Sequence, residues 1–155
     1  MVTKIEEVKK TAIKLFNYSI VNDRFVKTNG KIEKPIPILE TSGKINSWFV
    51  GITVNKKLAS FMQIDDDLNL LRYSSFQRTP NSIEGCPEAD IWLSPKKILK
   101  LAKTKADKGD SLSDPILTYD QNPSRIVWSI IARKKNGKTS TIYVAGEYVY
   151  VGSNY

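Results

Sequence analysis

A run of three acidic residues is the first feature of this sequence that could do chemistry. The run is Asp65-Asp66-Asp67, and carboxylates at such spacing suit Ca²⁺. A calcium loop of the EF-hand type also needs Gly at its sixth position and Glu at its twelfth. Counted from Asp65, these positions hold Leu70 and Phe76. The run therefore predicts a solvated turn rather than a metal site.

The single cysteine and the carboxylates around it form a second candidate. Glu84, Glu88 and Asp90 flank Cys86, and two carboxylates held in one cleft can act as general acid and base. No base lies near the thiol in the sequence, and acidic neighbours are expected to raise its pKa and disfavour the thiolate. The chain has no His, which excludes Ser-His and Cys-His pairs and the usual zinc ligand sets. We predict no catalytic, cofactor-binding or metal-binding residue and no enzymatic activity.

Aromatic side chains interleaved with basic ones are the last candidate, because such surfaces bind single-stranded nucleic acid. The chain has 24 Lys and Arg against 16 Asp and Glu, a net charge of +8, and lysine dominates it. The lysines are spread along the sequence, which favours a solvated surface over a site for nucleic acid, an anionic membrane or an acidic partner. Core packing is favoured for most of the aromatic residues concerned. These are Trp48, Trp92, Trp128, Tyr143, Tyr148 and Tyr150, of which Tyr148 and Tyr150 alternate on one strand and are candidates for exposure.

Length and hydropathy indicate a globular chain without a transmembrane segment. Its 155 residues suit one compact domain or two very small ones. No apolar run approaches the roughly 20 residues that span a bilayer. The charged, amphipathic start does not look like a signal peptide, and both a native start and a trimmed leader stay open.

Helix and strand signals alternate in the same order in both halves. Residues 3–20 begin with a capping box, Thr3 and Glu6, and continue with apolar residues at helical spacing. Ser94-Pro95 is a cap for a second helix, and Gly109 lies just past its expected end. Gln121-Asn122-Pro123 is a turn signal. The predicted strands are 47–54, 58–64 and 68–75 in the first half and 116–119, 126–132, 139–145 and 148–151 in the second, with 35–39 as an edge segment because it contains two prolines.

The hairpin around Asn136-Gly137 allows a prediction of register. This dipeptide favours a two-residue type I′ turn. Trp128 would then lie opposite Ala145, Ile130 opposite Tyr143 and Ala132 opposite Thr141, with Ile142 and Val144 on the other face of the sheet.

Correspondence between the halves predicts an internal repeat. Each half has a capped helix followed by a three-stranded antiparallel meander, and each return strand ends in an acidic turn. We therefore predict an α+β fold of two tandem helix-plus-meander (αβββ) units, residues 1–78 and 79–155, which could share one core.

The second half also resembles the PepSY family. The resemblance covers residues 94–151 best, through the segments 94–102, 125–130, 136–138 and 142–149, and it covers residues 3–76 more weakly. It implies a cystatin-like fold, in which an antiparallel sheet cradles a helix. It also implies a protein-binding or regulatory module that restrains a peptidase as an inhibitory or pro-segment-like domain, secreted or at the cell surface. The alternative that the composition leaves open is a basic protein that binds nucleic acid or an anionic surface.

Overall fold

One large, mostly antiparallel sheet forms the centre of an α+β fold. The computed structural model describes residues 3–18, 20–120 and 125–152, so the turn predicted at 121–123 lies outside the described residues. The helices are α1 (Lys4–Asn17), α2 (Arg24–Asn29), α3 (Ala89–Trp92) and α4 (Pro95–Ala102). The strands are β1 (Lys31–Ile32), β2 (Ile36–Leu39), β3 (Ile45–Val54), β4 (Lys57–Asp65), β5 (Leu70–Ser75), β6 (Ser111–Leu112), β7 (Ile116–Tyr119), β8 (Ile126–Arg133), β9 (Thr139–Ala145) and β10 (Tyr148–Val151).

Local capping signals place both long helices. The Thr3 hydroxyl accepts from the backbone N–H of Glu6, and the Glu6 carboxylate accepts from that of Thr3, which completes the capping box of α1. The Ser94 hydroxyl accepts from the N–H of Lys97 at the start of α4. The predicted end of this helix is wrong: α4 ends at Ala102, and turns fill the residues up to Gly109. No helix among the described residues is long and apolar enough to cross a membrane.

The strand order joins the two halves of the chain edge to edge. The order is β10-β9-β8-β7-β2-β3-β4-β5, with β1 and β6 paired to β3 and β8. The prediction that residues 35–39 form an edge segment is wrong, because β2 lies between β3 and β7. Proline is tolerated there because the contact with β7 is short: Ile38 pairs in parallel with Leu117, and the Thr118 hydroxyl donates to the Leu39 carbonyl at 2.6 Å.

The pairing register of the first half recurs in the second, 80 residues further on. Ile32 pairs with Ile52, and Leu112 with Ala132. Pro37 pairs with Trp48, and Leu117 with Trp128. Trp48 pairs with Ile64, and Trp128 with Val144. The helices of the two halves correspond less closely than the strands. In the second half, a break at Leu93–Ser94 divides the helical segment into α3 and α4.

Two hydrophobic cores lie on opposite faces of the sheet. Helices α1 and α2 pack on one face of β3 and β4, over Trp48, Val50 and Ile52. Helices α3 and α4 pack on the other face, where Phe49 and Phe61 of the first half join Trp128, Ile130 and Ile142 of the second. Because β3 and β4 are covered on both faces, nearly all their residues are buried. The equivalent residues Trp48 and Trp128 therefore face opposite sides of one sheet.

Candidate protein-binding surface

The chemical candidates of the sequence serve structural roles. The Asp65 carboxylate accepts from the backbone N–H groups of Asp67 and Asn69, both at 2.9 Å, and so closes the turn between β4 and β5. No cluster of potential metal ligands occurs among the described residues. The three tryptophans are buried in the two cores, which contradicts a stacking surface built from them.

Cys86 and its acidic neighbours do not form a reactive group. Cys86 is buried, and this burial raises the pKa of its thiol, while Lys57 and Arg78 lower it. The predicted cause, repulsion by the neighbouring carboxylates, is therefore wrong. Glu88 pairs with Lys57, and Asp90 pairs with Lys97 at 3.1 Å, so the carboxylates hold separate ion pairs.

The register of the β8–β9 hairpin decides which side chains share a face. Lys134 pairs through its backbone with Lys138, and Gly137 takes a φ of +84°, which makes a three-residue loop instead of the predicted two-residue turn. Trp128 consequently lies opposite Val144 and not Ala145. This slip of one residue moves Ile142 and Val144 into the core beside Trp128 and brings Tyr143 to the other face.

The face of β7–β10 turned away from α4 exposes several large apolar side chains, and we call it the open face. Ile116, Ile131 and Tyr148 are 37%, 50% and 76% exposed on it. Their neighbours there are less exposed: Thr118, Thr141, Tyr143 and Tyr150 are half-buried, and Val127 and Ser129 are buried. Helix α4 packs on the opposite face, and α1 packs on β1, β3 and β4. Exposed aliphatic and aromatic side chains in one patch are typical of an interaction site.

A charged cluster fixes the aromatic part of the open face. The Tyr150 hydroxyl donates to Asp120 at 2.6 Å, and Arg125 pairs with the same carboxylate at 2.6 Å. The Asp120 side chain is 1% exposed, whereas Arg125 is largely exposed. Burial, together with the hydrogen bond to Asp120 and its charge, raises the pKa of Tyr150 to about 12. The Tyr143 and Tyr150 rings pack at 5.4 Å, so two tyrosines are held in one orientation.

The outer edge of β10 adds to this surface backbone groups that pair with no other described strand. Strand β10 ends the sheet order, and the N–H of Gly152 donates inward to the Thr141 carbonyl at 2.8 Å. Because hydrogen-bonding direction alternates along a strand, the N–H groups of Val149 and Val151 point outward. Such an edge can accept an added strand.

Comparison with protein-family models, with curated proteins and with solved structures finds no match for this chain. The open face must therefore be interpreted from its own geometry. Sequence reasoning missed it because the hairpin register was shifted by one residue. The alternation of Thr141 and Tyr143 with the aliphatic Ile142 and Val144 was the signal that pointed to the correct face.

Proposed function

We propose that this chain is a non-enzymatic protein-binding module that binds a partner polypeptide on the open face and along the edge of β10. The observation that carries the proposal is the exposure of Ile116, Ile131 and Tyr148 on one sheet face. Aromatic and aliphatic side chains on a rigid sheet lose little conformational freedom when a partner covers them. The fixed Tyr150 supplies a preorganised contact of this kind.

We also infer that the fold consists of two cystatin-like helix-plus-meander units, residues 1–78 and 79–155, as in PepSY domains. The register that recurs after 80 residues supports this arrangement. In the first unit, the face that corresponds to the open face is covered by α3, where Trp92 stacks on Phe49 with ring centroids 4.7 Å apart. A partner segment with an aromatic side chain would cover the second unit in the same manner.

Restraint of a peptidase is the regulatory role that we propose for such binding. A peptidase holds its substrates as extended strands, and β10 offers an extended edge that no strand of the described residues covers, with Tyr148 beside it. The proposed site thus presents an extended backbone of the kind that a peptidase recognises. The hydrogen bonds between β9 and β10 would remain in place when the peptidase binds.

Affinity capture from the native host tests the open face. We expect Ile131→Asp to abolish capture of a specific partner, because the charge would be desolvated in the interface. The matched control is Leu71→Asp, since Leu71 is equally exposed, 51% against 50%, but lies on β5 at the other end of the sheet. Equal loss of the partner in both variants, or turnover of small substrates by the purified chain, would contradict the proposal.

Proline at position 151 tests strand addition separately. Val151→Pro removes an outward N–H and leaves the β9–β10 hydrogen bonds in place, so it should weaken partner binding by about tenfold, roughly the worth of one hydrogen bond. Val151→Thr keeps both the N–H and the β-branched shape and should bind normally. The peptidase role further requires that the captured partner cleaves a peptide substrate more slowly when the chain is added. Faster or unchanged cleavage would contradict the proposed restraint of a peptidase, but it would not contradict the proposed binding site.

A further inference from the structure

The net charge of this protein is confined to one part of it. Residues 96–110 and 133–138 together carry ten Lys or Arg and two Asp, which is a net charge of +8. The rest of the chain carries fourteen basic and fourteen acidic residues. The lysines are spread along the sequence, as expected, but the acidic residues that would neutralise them are not. The whole of the +8 therefore comes from these two segments.

The fold brings these two segments together at one end of the second half. Lys134 at the β8–β9 turn pairs with Asp107 at 2.7 Å and with Asp110 at 2.9 Å, in the loop after α4. The side chain of Lys135 lies against Gly109, where an added Cβ would meet its Cε at 2.6 Å. Strand β6 also pairs with the end of β8, Ser111 with Arg133. Both acidic residues of this region are thus occupied by Lys134.

Lys97 is also paired, with Asp90 at 3.1 Å, so eight of the ten basic side chains remain, and they define the basic surface. All eight are exposed, and none has an acidic partner within 4.0 Å among the residues that the structure describes. They are Lys96, Lys100, Lys103, Lys105, Lys108, Arg133, Lys135 and Lys138. Unpaired like charges on one surface repel one another, so an anionic surface that binds them would relieve this repulsion.

The types of side chain on the basic surface indicate which kind of anion it binds. Seven of the eight are lysines, which attract anions as point charges without the bidentate geometry that arginine uses to read bases. The two segments contain no aromatic residue on which a nucleobase could stack. Lysines scattered over a helix, a loop and a turn suit a plane of mobile negative charges. We propose that the basic surface docks on a lipid bilayer that contains anionic headgroups.

The location of the basic surface makes this second activity compatible with protein binding. Helix α4 lies on the face of β8 and β9 opposite to the open face. Arg133 lies on the open face, in phase with Ile131 on β8, but a bilayer that docks through the seven lysines, against α4 and the β8–β9 turn, would leave Ile131 and Tyr148 accessible to a partner. Lipid docking is therefore independent of the proposed function, and either can fail without the other.

Vesicle co-sedimentation of the full chain tests the proposal. The probes are vesicles of phosphatidylcholine alone and vesicles of phosphatidylcholine and phosphatidylglycerol in about equal parts. We expect binding to the anionic vesicles only, and a steep loss of binding as salt shortens the Debye length from ~10 Å at 0.1 M to ~3 Å at 1 M. The triple variant Lys103→Gln, Lys105→Gln, Lys108→Gln should bind the anionic vesicles about tenfold more weakly or worse.

A charge-matched control separates the basic surface from net charge alone. The triple variant Lys9→Gln, Lys10→Gln, Lys14→Gln removes the same charge from exposed positions of α1 and should bind as the wild type does. Arginine at positions 103, 105 and 108 should also preserve binding. That result would show that the Gln variant binds more weakly because it has lost positive charge. Equal loss in both Gln variants, no binding to anionic vesicles, or tighter binding to duplex DNA at the same salt would each overturn the proposal.

Discussion

At the scale of single residues, Trp48 and Trp128 are two buried tryptophans that differ in the hydrogen bonding of the indole N–H. They are 80 residues apart, occupy corresponding pairs in the register, and are 4% and 2% exposed. The indole N–H of Trp128 donates to the Trp92 carbonyl at 2.8 Å, which ties β8 to the end of α3. None of the residues that the structure describes accepts a hydrogen bond from the indole N–H of Trp48. Burial without a partner costs free energy, so Trp48 stabilises the fold through its apolar area alone.

Substitution of each tryptophan by phenylalanine should separate these contributions. Trp128→Phe removes the donor of the bond to the Trp92 carbonyl, whereas Trp48→Phe removes an N–H that makes no hydrogen bond within the described part of the chain. Both changes remove the same apolar volume from a buried site. We expect Trp128→Phe to cost about 1–3 kcal/mol more in the free energy of unfolding than Trp48→Phe, measured by denaturant titration. Equal losses would mean that the Trp128 hydrogen bond contributes nothing net.

At the scale of elements, the β8–β9 hairpin decides what the second half exposes. Its strands, β8 to β10, have the bounds predicted from the sequence to within one residue, and the turn lies at Asn136-Gly137 as predicted. The loop has three residues instead of two, because only Gly137 takes a positive φ and Asn136 does not. One residue of loop length moved Tyr143 from the core to the open face.

Substitution of Gly137 measures how strongly this loop holds the register. No atom lies within 4 Å of a Cβ built at Gly137, so Gly137→Ala introduces backbone strain without a clash. We expect a loss of about 1 kcal/mol in the free energy of unfolding. Gly137→Asn should cost less, because Asn tolerates the left-handed region. A gain in stability in Asn136→Gly would instead indicate a loop in which Asn136 also bears strain, which Gly relieves.

Most elements could be predicted because their signals are local, and the features that could not be predicted depend on distant residues. The caps of α1 and α4 each involve residues three positions apart. The central position of β2 depends on the contact of Ile38 with Leu117, far along the chain, which no local pattern reports. The candidate surfaces were missed for related reasons. The open face depends on the register, and the basic surface depends on where the acidic residues are paired.

At the scale of the whole molecule, the two halves complete each other through one sheet. Phe49 and Phe61 of the first half lie in the same core as Trp128 and Ile142 of the second. Gln63 of β4 donates to the Tyr119 hydroxyl of β7, and Tyr119 donates to Asn46 at 3.1 Å. The second half therefore depends on the first for part of its apolar burial and for polar contacts at the junction.

This dependence predicts that both halves unfold together. Ile52 is fully buried, but it lies in the core under α1, on the face away from α4. Ile52→Ala should cost about 2–5 kcal/mol. If the sheet is one cooperative unit, the slowest-exchanging amides of β9 should lose as much protection free energy as those of β4, measured by native-state hydrogen exchange. Leu71→Ala, at an exposed position of β5, should change neither strand. Loss confined to β4 would mean that the second half keeps its core when the first half opens, and that contacts through Phe49 and Phe61 are dispensable to it.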